Sequence, residues 1–510
     1  MRLRSNAKQL IITVICSFLT VGVNYAISFF LTSYISENIG TEAYGFVSLA
    51  KTISNYIMII TVALNSFAAR YISIEYHKKN IGKANEYFNT VYIVGLVMAL
   101  GIFIASMAVI LHLELFLKIP DALLTDVKRL FVLDTLNVLI LACSTAFMAA
   151  TTIKNRLELG NIIKMLSYIL EAIFLLIAYR YFPPRVYYVG IGLVISAVII
   201  LILNVELSRK LIPELKLGRG SFSKQALKDL MGAGIWNSIN SLGNTLNTGL
   251  DLLISNMLLS TLATGQLAIV KTISTIFSTL FQLVAMAFQP TQLRYYANGD
   301  KESLVYSFKL GIKINGAISN IAFAGFAVFG AVYYKLWTPS QDIRMLQTLS
   351  LVTILGNVIE GAVYPLYYGY NLTVKNKIPC MVTIMSGISN VAGMYVLIKY
   401  ANIGIYAVVL TTTVLTWLVN FVFNPMYMSH CIGIKETTFY PILLRHCVSS
   451  ATLFGIFWGV SQFFYPKSWL ELIWVAIVCT AIGIPVHLLI MLEKKDIKWL
   501  RMAFTRKYSS

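Results

Sequence analysis

The chain is short of charge. Asp, Glu, Lys and Arg together make up 12% of its 510 residues, whereas 57% are hydrophobic. An average soluble protein has about 25% charged residues. A surface with so little charge does not stay in water. This composition therefore excludes a soluble protein of roughly three or four domains and indicates a protein whose solvent is lipid.

Motifs of metal, redox and nucleotide chemistry are also missing. The six cysteines form no CxxC pair and no zinc spacing, so neither a disulfide framework nor a metal site is indicated. The sequence has no Gly-rich phosphate loop ending in Lys-Ser or Lys-Thr, and no HExxH motif. We therefore expect no cofactor, no metal and no ATP hydrolysis, and we do not expect an enzyme.

Long apolar runs fill the chain instead. A window of about 19 residues predicts about fourteen membrane spans and thus an all-α polytopic membrane protein. The predicted spans are 9–33, 43–69, 88–111, 126–150, 160–180, 186–206, 229–258, 264–289, 305–335, 344–369, 378–398, 404–428, 441–463 and 469–491. The first run has no small-residue cleavage site, so we interpret it as a retained span rather than a signal peptide.

The formal charge of +19 follows the connections between spans. Most Lys and Arg residues fall in the two termini and the even-numbered connections, for example Lys78-Lys79 and Lys494-Lys495. Short loops rich in Lys and Arg stay in the cytoplasm, so both termini are predicted to be cytoplasmic. The basic excess is a topology signal, and no nucleic-acid partner is expected.

A repeat relates the two sides of the chain. The segment Ala-Lys-Thr-Ile-Ser at 50–54 recurs as Val-Lys-Thr-Ile-Ser at 270–274, an offset of 220 residues. At the same offset the identical pairs are Asn24 and Asn244, Thr41 and Thr261, and Gly45 and Gly265. Because the repeat unit holds an even number of spans, the halves share one orientation, as in transporters that rock two halves around a central site. We predict a six-span half at 1–210, a cytoplasmic linker at 211–228, a second half at 229–430 and two added spans at 431–510.

Polar residues at helical spacing mark two spans as candidate walls of a cleft. In span seven they lie three or four residues apart, on one face of a helix; they are Asn237, Asn240, Asn244, Asn247 and Asp251. Span one has a weaker face with Ser17, Thr20 and Asn24. Hydrogen bonding between helices explains such residues in any bundle. A water-lined cavity wall explains the span-seven stripe better.

Two lysines lie within spans, where a charge costs at least about 2.5–3.5 kcal/mol. We assign Lys51 and Lys271 to substrate binding. An ion pair with Asp251 is the alternative for Lys271, and snorkelling to the outer interface is the alternative for Lys51. No acid matches Asp251 in the first half, because Leu31 stands there.

The remaining candidate site residues are charged. The acids Asp134, Glu171, Glu360 and Asp251 are candidates for ion coupling, or else are paired polar contacts. The cations Arg70, Arg294, Lys309 and Lys313 either attract an anionic head group or are ordinary positive-inside flanks.

Three stretches carry a resemblance to a known family. They are ENIGTEAYGFVSLAKTI, with its Gly-x-x-x-Tyr-Gly pattern, LDLLISNMLLSTLATGQLAIVKTI, and GYNLTVKNKIPCMVTIMSGISNVAGMYVLIKYANIGIYAVVLTTTV. They resemble bacterial O-antigen and polysaccharide flippases of the multidrug/oligosaccharidyl-lipid/polysaccharide exporter superfamily. The likeness covers nearly the whole chain, although the second half reads Ala-Thr-Gly at 263–265 and lacks the Tyr-Gly pair.

The resemblance implies a fourteen-helix transporter of the bacterial inner membrane. Its cargo would be an undecaprenyl-diphosphate-linked oligosaccharide, such as a unit of O-antigen, lipopolysaccharide or another surface polysaccharide. The expected partners are membrane lipids, a polysaccharide polymerase and glycosyltransferases. Lys51, Lys271, Arg70 and Arg294 suit the diphosphate, and Asn24, Asn240, Asn244 and Asn247 suit the sugars. A cation or drug antiporter of the same superfamily and a peptidoglycan precursor flippase remain as alternatives.

Overall fold

The protein is almost wholly helical. The computed structural model describes residues 2–218, 222–373, 375–493 and 496, and within these ranges it contains no β-strand. The predicted all-α class is therefore confirmed.

Contacts between residues divide the chain into two compact units, 1–268 and 269–510. The helices of unit 1 are α1 (Arg2–Asn38), α2 (Thr41–His77), α3 (Ile81–Leu111), α4 (Asp121–Ile153), α5 (Leu157–Tyr181), α6 (Tyr187–Leu211), α7 (Lys224–Thr248), α8 (Asp251–Ile254) and the start of α9 (Thr261–Met286). Unit 2 contains the rest of α9, α10 (Gln289–Ala297), α11 (Lys301–Trp337), α12 (Ile343–Thr373), α13 (Lys377–Lys399), α14 (Tyr406–Trp417), α15 (Asn424–Ile432), α16 (Tyr440–Phe463) and α17 (Trp469–Met491). The six-plus-six-plus-two division of the sequence stays a prediction.

The helices are long enough to cross a membrane. Among the described residues, twelve helical stretches have both the length and the apolar window of a membrane span. Helices α2 and α7 contain 37 and 25 residues, or about 55 Å and 37 Å at 1.5 Å per residue. The protein is thus polytopic, with roughly 12–14 spans.

Three predicted spans are interrupted. The chain of span seven continues past α7 into the short α8 and a π-helical turn, Ser255–Leu259. Span twelve has a π-helical turn at Leu418–Phe423 between α14 and α15. Span eight ends at Met286, and Pro290 stands in the first turn of α10, where its missing N–H is not needed.

In unit 1 the start of α2 touches the start of α9. A Cβ on Gly45 would lie 2.8 Å from the Gly265 nitrogen, and a Cβ on Gly265 would lie 2.1 Å from the Thr41 carbonyl oxygen. The Thr261 hydroxyl also donates to a Glu42 carboxylate oxygen at 2.6 Å. The residues that match in the repeat therefore meet, and glycine permits the two backbones to approach.

In unit 2 a buried polar cluster joins α16 and α17 to α11. His446 and His487 are fully buried, and both face the side-chain amide of Asn320, at 3.1 Å and 3.4 Å. Their other ring nitrogens bond the carbonyls of Val358 and Lys313. The last two membrane helices are thus held to the unit by directed hydrogen bonds as well as by apolar packing.

Candidate functional site

Lys51 on α2 is exposed, and its charge acts on two buried carboxylates of unit 1. They are Asp134 on α4 and Glu171 on α5, which are 4% and 6% exposed. No acid stands at the position matching Asp251, but the charge of Lys51 acts on acids from other helices of unit 1.

Asp134 is also tied to α2 by a hydrogen bond. The Ser54 hydroxyl donates to its carboxylate, and Asn137 on the same helix as Asp134 is a second hydrogen-bond partner. Ser54 lies one turn after Lys51 and thus on the same face of α2. The Lys-Thr-Ile-Ser segment therefore presents an ammonium and a hydroxyl toward the same part of α4.

The second copy of this segment makes the matching contact inside unit 2. The Ser274 hydroxyl donates to Asn357 of α12 at 3.3 Å, and the Asn357 amide donates to Ser278 at 2.9 Å. At the offset of 220 residues Asn357 corresponds to Asn137 and Ile354 to Asp134, so unit 2 has no carboxylate at the matching position. Lys271 is half-buried on the same helix, α9. Its predicted pairing with Asp251 stays a prediction.

The polar stripe of span seven falls mostly outside the described side chains. The helix α7 itself is present, but the side chains of Asn237, Asn240, Asn244 and Asn247 are not among those described. Asp251 begins α8, is 5% exposed, and acts electrostatically on Tyr56 of α2. The Tyr56 hydroxyl donates to the Gly249 carbonyl, so α2 contacts the chain where α7 ends.

The polar face of span one is used in part for hydrogen bonds between helices. Ser17 accepts a bond of 2.8 Å from the Asn161 amide of α5, and the Thr20 hydroxyl donates to the Asn161 carbonyl at 3.1 Å. Asn24 is half-buried one turn further along. The bundle-packing interpretation therefore accounts for Ser17 and Thr20.

The cations proposed for an anionic head group differ in their surroundings. Arg70 is exposed, and Arg294 is exposed with its guanidinium 5.4 Å from the centre of the Tyr295 ring. Lys313 does not face an open surface: its ammonium is buried in an ion pair with Asp496. The prediction that Lys313 attracts an anionic head group together with Lys309 is therefore wrong for Lys313, because Asp496 of the same chain is its anionic partner.

Glu360 on α12 is half-buried and acts electrostatically on Tyr364 and Tyr367 of the same helix. The Tyr367 hydroxyl donates to Asn420 at 2.5 Å, within the π-helical turn. Glu360 is thus placed among tyrosines, whereas the charge of Lys51 acts on Asp134 and Glu171. It remains an ion-coupling candidate by prediction only.

Ser54, Asn137 and Asn357 were missed by sequence reasoning. Ser54 lies in the repeated segment, so the repeat itself was a signal that this hydroxyl matters. The repeat also pairs Asn137 with Asn357 at the same offset of 220 residues, so it was a signal for these two amides as well.

Solved structures with this architecture are transporters and flippases. The protein is similar to the lipid II flippase MurJ in an inward closed conformation, with a TM-score of 0.69, 14% identity, and coverage of 93% of this chain and 99% of that one. It is also similar to a multidrug resistance MATE family transporter of the MOP superfamily in an inward-facing conformation, with a TM-score of 0.57, 16% identity, and coverage of 81% and 98%. The chain shares its fold with both proteins.

Sequence comparison is more specific. The chain belongs to the family described as polysaccharide biosynthesis protein, whose profile matches residues 12–295. It is also 27% identical over 413 residues to the uncharacterized membrane protein EpsK of Bacillus subtilis (strain 168), covering 81% of this chain and 82% of that protein. The predicted resemblance to polysaccharide flippases of the exporter superfamily is confirmed.

Proposed function

We propose that the protein flips a polyprenyl-diphosphate-linked oligosaccharide, the repeat unit of a surface polysaccharide, across the bacterial cytoplasmic membrane. Both termini face the cytoplasm in this proposal, and glycosyltransferases and a polymerase act before and after it. The observation that carries the proposal is the exposed Lys51 on α2, whose charge acts on the buried carboxylates of Asp134 and Glu171. The family match supports polysaccharide as the cargo class.

The physical task is to lower the barrier for a polar head group. The polyprenyl tail stays in lipid, whereas the diphosphate and sugars cannot enter hydrocarbon without polar partners. In the empty protein, Asp134 and Glu171 offset the cost of the Lys51 charge at membrane depth. An arriving diphosphate makes charge-assisted hydrogen bonds to the same ammonium, and the Asn residues of α7 offer amides to the sugars. Water solvates the diphosphate on the far side and releases it.

Ion coupling is assigned to unit 1. With the diphosphate on Lys51, the carboxylates of Asp134 and Glu171 lie near additional negative charge, so binding a proton or a sodium ion there relieves repulsion. In unit 2 the Ser274 hydroxyl bonds Asn357 instead, and Ile354 stands at the position matching Asp134. Coupling through this contact is therefore expected in the first half only. Ile354→Asp would place a carboxylate at the matching position.

Reconstituted vesicles test the proposed transport. The purified protein is inserted into vesicles that contain a polyprenyl-diphosphate-linked oligosaccharide, and a membrane-impermeant oxidant attacks exposed sugars. In vesicles with the protein we expect the oxidant to modify nearly all the lipid-linked sugar. In protein-free vesicles it should modify only the sugar in the outer leaflet. Protection of the inner-leaflet share would contradict the proposal. Uptake of a cationic drug in its place would indicate the antiporter alternative, and flipping of a peptidoglycan precursor alone would indicate that cargo.

A further inference from the structure

The chain between α6 and α7 is bound to α3 by two asparagine side chains. Asn85 accepts from the Lys216 N–H at 2.9 Å and donates to the Glu214 carbonyl at 3.1 Å. Asn89 accepts from the Gly218 N–H at 2.9 Å and donates to the Lys216 carbonyl at 2.9 Å. Each side-chain amide thus pairs with the backbone as a neighbouring β-strand would.

The spacing of the two partners explains this arrangement. Residues four apart on a helix are separated by about 6 Å along its axis. Alternate residues of an extended chain are separated by about 6.6 Å. The spacing of Asn85 and Asn89 along the helix therefore matches the spacing of residues 214, 216 and 218 along the extended segment. Because the bonds go to backbone atoms, the attachment depends little on the side chains of this segment.

Further contacts extend the attachment to the first turns of α7. Ile212 and Leu215 are 0% and 6% exposed and join the apolar core that contains Leu230 of α7. The Ser223 N–H donates to the Thr90 hydroxyl at 3.0 Å. The Tyr87 hydroxyl donates to Asp229 at 2.8 Å.

We propose that residues 214–218 are a permanent attachment that keeps the first turns of α7 on α3 throughout the transport cycle. Release would expose Ile212 and Leu215 and break the hydrogen bonds of Asn85 and Asn89. The other end of α7 stops at Thr248 and is bonded to α2 instead, through the Tyr56 hydroxyl and the Gly249 carbonyl. The start of α7 therefore moves with α3, whereas the end at Thr248 follows α2. This inference rests on the proposed transport.

Cross-linking tests permanence. Glu86 and Lys216 are exposed, and the Lys216 backbone is bonded to Asn85 and Asn89 of the same turn of α3 as Glu86. A Glu86→Cys/Lys216→Cys variant is treated with a short bifunctional thiol reagent, and the two single variants control for the native cysteines. We expect cross-linked protein in vesicles to flip lipid-linked oligosaccharide at the rate of the untreated protein. A block confined to the double variant would show that the segment must detach, and would overturn the proposal.

Hydrogen exchange tests the attachment without relying on transport. In the purified protein the amides of Lys216 and Gly218 should exchange slowly, and Asn85→Ala/Asn89→Ala should speed their exchange at least about tenfold. Glu86→Ala and Lys216→Ala are matched controls that leave the amide pairs intact and should keep exchange slow. Rapid exchange in the unmodified protein would refute the attachment. Slow exchange in a protein that flips no lipid would refute only the proposed function.

Discussion

Gly265→Ala should destabilise unit 1 because the start of α9 lies against the backbone of α2. The added Cβ would sit 2.1 Å from the Thr41 carbonyl oxygen and 2.6 Å from its carbon. A comfortable carbon–oxygen contact is about 3.3 Å, so the helices must separate by about 1 Å. The obstacle is backbone rather than a flexible side chain, so local adjustment cannot remove the clash. Overpacking of this kind costs about 1–3 kcal/mol.

A second glycine provides the control. Gly101 lies within α3, and a Cβ there meets nothing within 4 Å. Replacing a helical glycine by alanine is otherwise stabilising by about 0.5–1 kcal/mol, so the difference between the two variants isolates the overpacking term. At about 2–4 °C per kcal/mol for domains of 150–250 residues, the Tm of Gly265→Ala should lie about 2–12 °C below that of Gly101→Ala in detergent. Equal Tm values would refute the close contact between α2 and α9.

The other predictions concern charge and topology. Burial raises the pKa of Asp496, but the hydrogen bond from the Lys313 ammonium and other contacts lower it. The pKa of Asp496 therefore lies below its ordinary value. The ion pair should therefore stabilise unit 2 above about pH 4 and lose this effect in stronger acid. Asp496→Asn should lower the free energy of unfolding, measured with denaturant at neutral pH, by about 3–5 kcal/mol. Adding Lys313→Met should restore part of that free energy. An unchanged free energy of unfolding in Asp496→Asn would contradict the buried pair. Asp134→Asn should remove the response of flipping to an imposed proton or sodium gradient, and an unchanged response would exclude Asp134. Impermeant thiol reagents should label a cysteine at Glu37 but not one at Ser221 in intact cells, and the reverse would overturn the topology.

The fold class could be predicted because a bilayer restricts the amino-acid composition of the segments that cross it. A bilayer demands runs of about 20 apolar residues with satisfied backbone groups, and this chain repeats such runs throughout. The breaks inside the spans were less visible. Pro290, which lies in the first turn of α10, marks one break in the sequence. The π-helical turn at Leu418–Phe423 depends on packing around Asn420 that periodicity does not reveal.

Only the charged residues of the candidate site could be predicted from the sequence. Lys51, Asp134 and Glu171 stood out because ions within spans are costly. Their proximity could not be inferred, because it depends on which faces of α2, α4 and α5 are turned toward each other. The pairing of Lys313 could not be predicted either, because its partner Asp496 lies 183 residues away in sequence.

Surface polysaccharide in cells whose only copy carries a change at Lys51 tests the central claim most directly. The claim is that the ammonium beside Asp134 and Glu171 binds the cargo diphosphate. Lys51→Ala and Lys51→Glu should abolish surface polysaccharide while the protein remains in the membrane at normal amount, and Lys51→Arg should retain part of the export because it keeps the charge. Normal export by Lys51→Ala would contradict the account and would place the diphosphate elsewhere, with Arg70 and Arg294 the next cations to test.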